Sequence, residues 1–480
     1  MSKNPCPVIV WFRQDLRLAD NPALYYAAQT GKPILPVFIY NPKARTQEWH
    51  PGAASRWWLH HSLKALQKNL AKHNMNLRIM TGDPCEVMLD LAKEVKADHV
   101  VWNRRYAPDD VEIDKRIKSD LIDQTVEVKT FKANVLFEPW EIKTKTGNHF
   151  YKVYTPFMKA CRAQAETIRP PYDEPKMTVY DRSPQGSELN DLKLLPDIGW
   201  DKKFYDIWTP GEEGAWNRLD EFLDDQITDY KEGRNYPDEE QECVSRLSAH
   251  LHWGEISPYQ IWYAVNDFVN AHQDISYKNG PRTFLDEILW REFSYHLLFN
   301  IPDFPNKPMR EKFADFKWSH SEKNLKAWQK GCTGYPIVDA AMRQLWQTGW
   351  MHNRLRMIVG SFLVKDLHIN WREGEKWFWD TLVDADLANN TMGWQWVAGC
   401  GPDAAPFFRI FNPVTQSEKY DAKGRFIRQY VPELSDMPDK YIHAPWMAPE
   451  KIRKDYDYPD PIVNHKEMRE LALEKYHKIK

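Results

Sequence analysis

The sequence lacks several features by which common classes of site are recognised. Six cysteines are present and none forms a C-x-x-C pair. Neither a zinc site, nor an iron–sulfur cluster, nor a disulfide framework is therefore indicated, and we predict no metal site. Excess positive charge is also missing, because the formal net charge is −3. This excludes a surface coated with basic residues for general nucleic-acid binding and leaves room for a local basic rim.

Long apolar runs are missing as well. No stretch approaches the roughly 18 to 20 apolar residues of a membrane span, and no signal-peptide core is seen at the N-terminus. We therefore predict a cytoplasmic protein without membrane contact, and we expect a monomer. Tryptophan, in contrast, is abundant, with 22 copies. Most of these indoles are expected to pack in the core.

The first 131 residues alternate strand-like and helix-like segments. Apolar runs at 7–12, 34–40, 77–80, 99–102 and 126–130 predict strands, and 55–72 and 84–95 predict helices. The triplet Asp20-Asn21-Pro22 is typical of a helix start. This alternation predicts a doubly wound, parallel α/β domain over residues 1–131. Neither G-x-G-x-x-G nor a P-loop follows the first strand, so neither standard phosphate motif applies.

The rest of the chain divides in two by composition. Residues 132–200 are rich in Pro, Lys, Asp and Ser, including Arg169-Pro170-Pro171 and Arg182-Ser183-Pro184, and predict an interdomain connector. From residue 201 to 480 helical periodicity dominates, with stop signals such as Thr348-Gly349. We predict an all-α second domain there.

Four weak patterns in the helical part could carry chemistry. A helix over 281–299 places Glu287, Trp290, Arg291 and Ser294 on one face; alone, this pattern is more typical of an exposed face with a Glu287–Arg291 pair. The helix after Gly349 carries Asn353 and Arg356 on one face, where both need partners if buried. The polar stretch 384–390 indicates hydrogen bonding rather than a metal site. The turn 244–248 enters a helix and could hold phosphate, with helix capping by serine as the ordinary alternative.

Together and in order, these motifs resemble the photolyase/cryptochrome family over nearly the whole chain. The entry V-I-V-W-F-R-Q-D-L-R-L-A-D-N resembles the family's first strand and turn. The strongest match comprises G-C-T-G-Y-P-I-V-D-A-A-M-R-Q-L-W, G-W-M-H-N-R-L-R-M, D-A-D-L-A-N-N, G-W-Q-W and F-F-R-I-F-N-P, between Gly331 and Pro413. Within the family the chain looks most similar to microbial photolyases for cyclobutane pyrimidine dimers, of class I or class III.

The resemblance implies FAD in the helical domain, with the fully reduced anionic form active. Excited by blue light, that form would give an electron to the dimer, whose ring splits before the electron returns. The matching FAD positions are Tyr230, Ser245, Arg246, Leu247, Ser248, Phe284, Arg291, Asn353, Arg356, Asp384, Asp386 and Asn390. Val244 and Phe284 depart from the usual threonine and tryptophan, and Arg356 with Asp384 is expected to form a buried pair.

The resemblance also implies a pocket for damaged DNA, from which the dimer is extruded. Photolyases are among the enzymes known to flip their target base out of the duplex. Trp290 offers a stacking face and Glu287 a hydrogen-bonding carboxyl. The matching dimer and DNA positions are Arg234, Glu287, Trp290, Asn353, Arg354, Met357, Arg409 and Gln416. Trp394, Trp371 and Trp318 match a chain of tryptophans for electron transfer between flavin and surface.

A second, light-harvesting chromophore is implied for the α/β domain. Asp109 and Asp110 lie near folate-binding positions, so methenyltetrahydrofolate is favoured, with a deazaflavin or no antenna still open. Two other functions remain as alternatives. One is a cryptochrome-type blue-light photoreceptor, which is expected to lack parts of the Glu287, Trp290 and Met357 set and often to carry a long C-terminal tail. The other is a plain FAD-dependent oxidoreductase.

Overall fold

The computed structural model describes residues 6–43, 49–144, 147, 149–181, 186–238, 240, 243–272, 279–403 and 408–479. The Arg182-Ser183-Pro184 part of the predicted connector lies outside these ranges. Within them, no helix is long and apolar enough to cross a membrane.

The N-terminal part folds around a parallel sheet. Its strands are β1 (Val8–Phe12), β2 (Pro33–Tyr40), β3 (Arg78–Thr81), β4 (His99–Asn103), β5 (Glu127–Phe131) and β6 (Thr178–Val179). The order is β3-β2-β1-β4-β5, with β6 paired to the start of β2. The predicted parallel α/β fold is confirmed, and each of the five predicted strands begins and ends within one residue of the observed bounds.

Both faces of this sheet are covered by helices. They are α1 (Pro22–Gln29), α2 (Ala53–Ala71), α3 (Pro84–Val95) and α4 (Pro108–Asp123). Asn21 caps α1, since its side chain accepts from the Leu24 N–H at 3.1 Å. Successive residues of β1 point to opposite faces of the sheet. Val8 packs in the hydrophobic cluster that contains α1 and α2, and Ile9 packs in the cluster that contains α3 and α4. Burial on both faces explains why the strands read as continuous apolar runs.

The remaining helices follow in chain order. They are α5 (Tyr154–Arg162), α6 (Phe204–Ile207), α7 (Glu212–Asp225), α8 (Tyr230–Gly233), α9 (Ser248–Trp253), α10 (Pro258–Ala271), α11 (Asn279–Asn300), α12 (Glu322–Lys330), α13 (Pro336–Thr348), α14 (Asn353–Ser361), α15 (Trp371–Thr381), α16 (Leu387–Ala398), α17 (Pro413–Tyr420), α18 (Arg425–Tyr430), α19 (Asp439–Ile442), α20 (Glu450–Arg453) and α21 (His465–Lys478). The predicted helical domain is confirmed. The predicted connector is partly regular, because it contains α5 and β6.

A buried polar network joins the two parts of the molecule. Arg17 donates to the carbonyl of Gly254 at 2.8 Å, and the Trp58 indole donates to Glu255 at 3.0 Å. Buried polar groups must be paired in this way, so the two parts are held in a defined arrangement. This arrangement places the carboxyl ends of β1, β2 and β4 against the helical part.

Candidate active site

Helix α11 carries the first predicted group of polar residues. The exposed-face interpretation is wrong, because Arg291 is only 9% exposed. Its guanidinium donates to the carbonyl of Asn134 at 2.6 Å. Glu287 pairs with Arg234 of the segment after α8 and makes no i,i+4 pair with Arg291. The face therefore meets other elements of the protein, which an i,i+4 pattern alone does not indicate.

Two aromatic rings form one wall of the predicted FAD site. Tyr230 of α8 and Phe284 of α11 lie edge to face, with ring centroids 5.3 Å apart. Both side chains are buried, and Phe222 packs against both. Phe284 thus keeps an aromatic surface at this position without the N–H donor of an indole.

The turn before α9 is the segment that the sequence indicates could hold phosphate. Arg246 has a left-handed φ of 51°, and its guanidinium lies over the Trp350 ring at 4.8 Å. Leu247 is the N-cap of α9 and makes no side-chain capping bond, while Ser245 Oγ accepts from the Leu247 N–H at 3.4 Å. The capping alternative is therefore wrong for Ser248, which is the first residue of the helix and is exposed.

Arg356 and Asp384 form the predicted pair between α14 and the segment before α16. Arg356 Nη2 donates to Asp384 Oδ2 at 2.8 Å, and Arg356 Nε donates to the Met351 carbonyl at 2.8 Å. Within the described ranges, the buried Asp384 Oδ1 has no hydrogen-bond partner. An unpaired carboxylate oxygen in the interior is costly, so this atom is suited to accept from a bound ligand.

Asn390 lies on helix α16, and Asp386 lies at the start of that helix. Asn390 Nδ2 donates to the carbonyl of Glu375 at 3.0 Å, which fixes the orientation of the amide. Asp386 is the N-cap of α16 and accepts from the Tyr295 hydroxyl at 2.5 Å. Burial acts to raise the pKa of Asp386, but His252, Arg291 and Tyr295 outweigh it and hold that pKa well below its usual range. Asp386 is thus a stable anion with protein partners.

Glu287 and Trp290 form the centre of the predicted dimer pocket. Both side chains are half-buried. Burial raises the pKa of Glu287, while the guanidinium of Arg234 acts in the opposite direction. The Trp290 ring lies flat against Tyr154 of α5, with centroids 3.5 Å apart and planes 9° apart. One face of the indole is thus covered by a residue of the connector.

Helix α14 brings Asn353 and Met357 to the same region. Asn353 is the first residue of the helix and is exposed, and Met357 is half-buried. The neighbouring His352 is fully buried, and its Nδ1 accepts from the Arg354 N–H at 3.1 Å. Burial and nearby guanidinium groups lower the pKa of His352 to about 3. The imidazole is therefore neutral at pH 7 and is not an acid for the pocket.

The predicted DNA contacts lie on several elements. Arg354 stacks over Tyr420 at 4.4 Å and donates to Asn235. Arg409 is exposed and lies over the Trp396 ring at 5.6 Å. Gln416 is half-buried on α17. Cationic groups that rest on aromatic rings keep their charge available to phosphate.

The three predicted electron-transfer tryptophans differ in burial. Trp394 of α16 and Trp371 at the start of α15 are each 3% exposed, whereas Trp318 is only partly buried. The Trp394 ring packs directly against Gly374 of α15. A Cβ added to Gly374 would lie 2.1 Å from a ring atom of Trp394. The first two tryptophans of the predicted order are thus equally buried, and the third is closer to the surface.

A cavity of about 480 Å³ lies between the two parts of the molecule. Its lining is strongly aromatic: Trp11, Tyr40, Trp49, Tyr106, Trp253, Tyr295 and Trp379. Asp109 and Asp110 line it too, and Asp110 pairs with Arg105 at 3.0 Å. Burial raises the pKa of Asp110 despite that pair. Of the predicted FAD residues, Asp386 alone is among the residues of this lining.

Two family models match the chain, "DNA photolyase" over residues 8–176 and "FAD binding domain of DNA photolyase" over residues 284–478. A deoxyribodipyrimidine photo-lyase of Agrobacterium fabrum is 48% identical, with 100% of this chain and 99% of that protein covered. The chain belongs to the photolyase/cryptochrome family. Photolyase and cryptochrome relatives both occur: Cryptochrome-1 of Arabidopsis thaliana is 36% identical over 95% of this chain and 68% of that protein.

The solved structures agree with this family assignment. The crystal structure of a bacterial class III photolyase from Agrobacterium tumefaciens superposes with a TM-score of 0.94 at 48% identity. The match covers 100% of this chain and 98% of the chain in that crystal structure. The fold predicted from the family resemblance is thus confirmed, and the helical part contains a photolyase-type FAD-binding domain.

Sequence reasoning missed several residues of this photolyase-family chain that line the candidate sites. Tyr154 on Trp290 and Trp396 under Arg409 were not predicted, nor were Trp49 and Trp379 at the interdomain cavity. One signal was available for the cavity, since ligands of open α/β sheets bind beyond the carboxyl ends of the strands where the order reverses. Here β1 is that strand, and its Trp11 lines the cavity.

Proposed function

We propose that this protein is a light-driven DNA-repair enzyme, a deoxyribodipyrimidine photolyase that splits cyclobutane pyrimidine dimers. The observation that supports the proposal is that the chain carries Glu287, Trp290, Asn353 and Met357 together, on two helices linked through the Arg234–Glu287 and Arg354–Asn235 contacts. These side chains belong to α11 and α14, and the cationic side chains of Arg234 and Arg354 lie beside them. Full-length similarity to a photo-lyase at 48% identity supports the same function.

FAD would be held in the helical part. Tyr230 and the turn 245–248 would hold its diphosphate and ribityl end, and Phe284, Arg356, Asp384 and Asn390 would surround its flavin. The buried, unpaired oxygen of Asp384 supports this assignment, because a hydrogen-bond donor of the cofactor would satisfy it. When bound and fully reduced, FAD supplies an excited-state electron donor.

The protein's own residues bind and orient the substrate. Trp290 stacks on an extruded pyrimidine, a contact worth about 1 to 3 kcal/mol. Glu287 donates or accepts at a pyrimidine edge, since burial raises its pKa while the paired Arg234 acts in the opposite direction. Met357 offers an adaptable apolar surface to the cyclobutane ring. Trp394, Trp371 and Trp318 provide a path for electrons between the solvent and the flavin site.

The decisive experiment is illumination of the purified, reduced protein with an oligonucleotide that carries one cyclobutane dimer. Chromatography should show restored pyrimidines in the light and none in the dark. A protein that binds FAD and leaves the dimer intact would instead be of the cryptochrome type. Oxidation of a soluble electron donor in the dark, without repair, would identify a plain FAD-dependent oxidoreductase.

We further propose that the interdomain cavity binds an antenna chromophore, with methenyltetrahydrofolate favoured. The flat aromatic lining suits a conjugated ring, and Asp109 and Asp110 offer acceptors for the N–H groups of a pterin. Extraction of the purified protein and chromatography should recover the folate, and Asp110→Ala should reduce its content while FAD is retained. Recovery of a deazaflavin, or of no second chromophore, would overturn this assignment. A monomeric state and a cytoplasmic location remain predictions.

A further inference from the structure

Tyr154 of α5 lies against the back of the proposed dimer pocket. Its ring is parallel to that of Trp290, with centroids 3.5 Å apart. In the described part of the chain, the other ring contact of Trp290 is with Phe293 and is edge-on, at 6.0 Å and 71°. Tyr154 therefore covers one broad face of the indole, and a pyrimidine would stack on the opposite face.

Two further contacts fix the position of Tyr154, and a third fixes its helix. Its hydroxyl donates to the carbonyl of Asp286 at 2.7 Å, one turn before Trp290 on α11. Its backbone N–H donates to Asp403 Oδ2 at 2.7 Å. Arg162, at the other end of α5, pairs with the Asp286 carboxylate. Helix α5 is thus attached to the same turn of α11 that carries the pocket residues.

We propose that Tyr154 is a positioning residue for dimer recognition, which holds the Trp290 ring in the orientation that stacks on the extruded pyrimidine. This inference rests on the proposed function and extends it to a residue of the connector. An indole that is already fixed in the unbound protein loses less side-chain freedom when the substrate binds. The affinity for the dimer is therefore higher, although Tyr154 makes no contact with the substrate. Removal of the tyrosine ring should therefore weaken recognition of damage and leave binding of undamaged DNA unchanged.

The test compares four proteins: wild type, Tyr154→Leu, Tyr154→Phe and Tyr151→Leu. Tyr151 lies three residues earlier and packs on Phe157, so it is a matched control that does not stack on Trp290. We expect Tyr154→Leu to lower affinity for a dimer-containing oligonucleotide about fivefold, a size within the range of one stacking contact. Affinity for the undamaged oligonucleotide, FAD content and photoreduction should not change. Tyr154→Phe keeps the stacked ring and should recover most of the affinity.

A double-mutant cycle separates positioning from general support of the fold. In a Trp290→Leu background, Tyr154→Leu should cause no further loss of dimer affinity, because the ring that it positions is gone. Steady-state repair by Tyr154→Leu should show a raised KM with an unchanged kcat. Additive losses in the cycle, or an equal loss of affinity for undamaged DNA, would overturn the proposal. Failure of the proposed function is distinct, since wild type itself would then show no preference for the dimer.

Discussion

The carboxylate of Asp384 is paired on one side only. Its Oδ2 accepts from Arg356 at 2.8 Å, and its buried Oδ1 meets no partner among the residues that the structure covers. Two interactions are thus expected at one carboxylate, an ion pair within the protein and a hydrogen bond to the cofactor. The ion pair depends on the negative charge of Asp384, and the hydrogen bond depends on its acceptor oxygen.

The first prediction concerns this carboxylate. Asp384→Asn should lower the flavin content of the purified protein at least fivefold, because a neutral amide is a weaker acceptor than a carboxylate for a donor of the cofactor and no longer holds Arg356 by charge. Flavin per polypeptide is measured by visible absorbance after extraction. Glu433→Gln is the matched control. Glu433 pairs with Arg343 of α13 at the same distance of 2.8 Å, and neither residue belongs to the predicted FAD site. Full flavin content in Asp384→Asn would contradict the assignment.

The second prediction concerns the tryptophan path. Trp394→Phe should abolish photoreduction of the oxidised flavin while flavin binding and repair by chemically reduced enzyme persist. The buried Trp208, whose indole donates to the Thr348 carbonyl at 2.8 Å, offers a control through Trp208→Phe. Photoreduction is followed by visible absorbance under illumination with an external donor. A normal rate in Trp394→Phe would reject the path.

The third prediction concerns phosphate contacts. Affinity for damaged DNA should fall as salt rises, because cationic side chains displace condensed counterions. Arg354→Ala should make that salt dependence shallower by about one contact. The exposed Lys68, paired with Glu213 at 3.9 Å, provides a control, and Lys68→Ala should leave the slope unchanged. Equal slopes for wild type and Arg354→Ala would show that Arg354 does not contact phosphate.

The fourth prediction concerns the choice of lesion. Repair of a (6-4) photoproduct moves oxygen between the bases and needs a proton donor, which that class of enzyme typically presents from histidines at the places of Asn353 and Met357. Neither residue is an acid, and His352 is buried and neutral at pH 7. We expect repair of cyclobutane dimers and none of (6-4) products. Chromatography of two illuminated oligonucleotides, one with each lesion, decides this, and any restored (6-4) substrate would refute it.

The fifth prediction concerns stability and pH. Burial raises the pKa of Glu212 to about 7, although its carboxylate accepts from the Ala19 N–H at 3.2 Å and from Asn69 at 3.0 Å. The folded protein therefore holds a proton that the unfolded chain loses above pH 4.5, and this contribution to stability disappears as pH rises through 7.

Glu212→Gln removes this titration. Between pH 4.5 and pH 8, the unfolding free energy of wild type should fall relative to that of the variant, by at most about 3 kcal/mol. We expect a smaller fall than this limit, because the side chain is partly exposed and solvent screens its charge. Urea unfolding at each pH measures the difference. A difference that is constant over this pH range would show that Glu212 has an ordinary pKa.

The sequence allows the parallel sheet to be predicted closely because its strands are buried on both faces. Such strands read as unbroken apolar runs, which is why β1 and β2 are found within a residue. Strand β6 is different, since a two-residue strand, Thr178–Val179, has no periodicity to detect. The same limit hides α5, whose nine residues lie in a segment rich in turn-forming residues.

The site divides in a similar way. Helical spacing places Glu287 and Trp290 on one face, and the family resemblance supplies their partners on α14. The stacking of Tyr154 on Trp290 joins positions 136 residues apart, and no local pattern encodes such a contact. The pairing of Glu287 with Arg234 was likewise missed, because an i,i+4 partner on the same helix looked sufficient from the sequence.

The missing side chain of Gly374 has a consequence for electron tunnelling. Helix α15 begins at Trp371 and passes Trp394 at the point where Gly374 leaves room for the ring. Any larger residue at 374 would have to push the helix or the indole aside. Tunnelling rates fall steeply with the gap between donor and acceptor. On the proposed path, the close contact of Trp394 with α15, whose first residue is Trp371, depends on the absence of a side chain at position 374. The proposed electron path thus depends on a residue that would carry no electron itself.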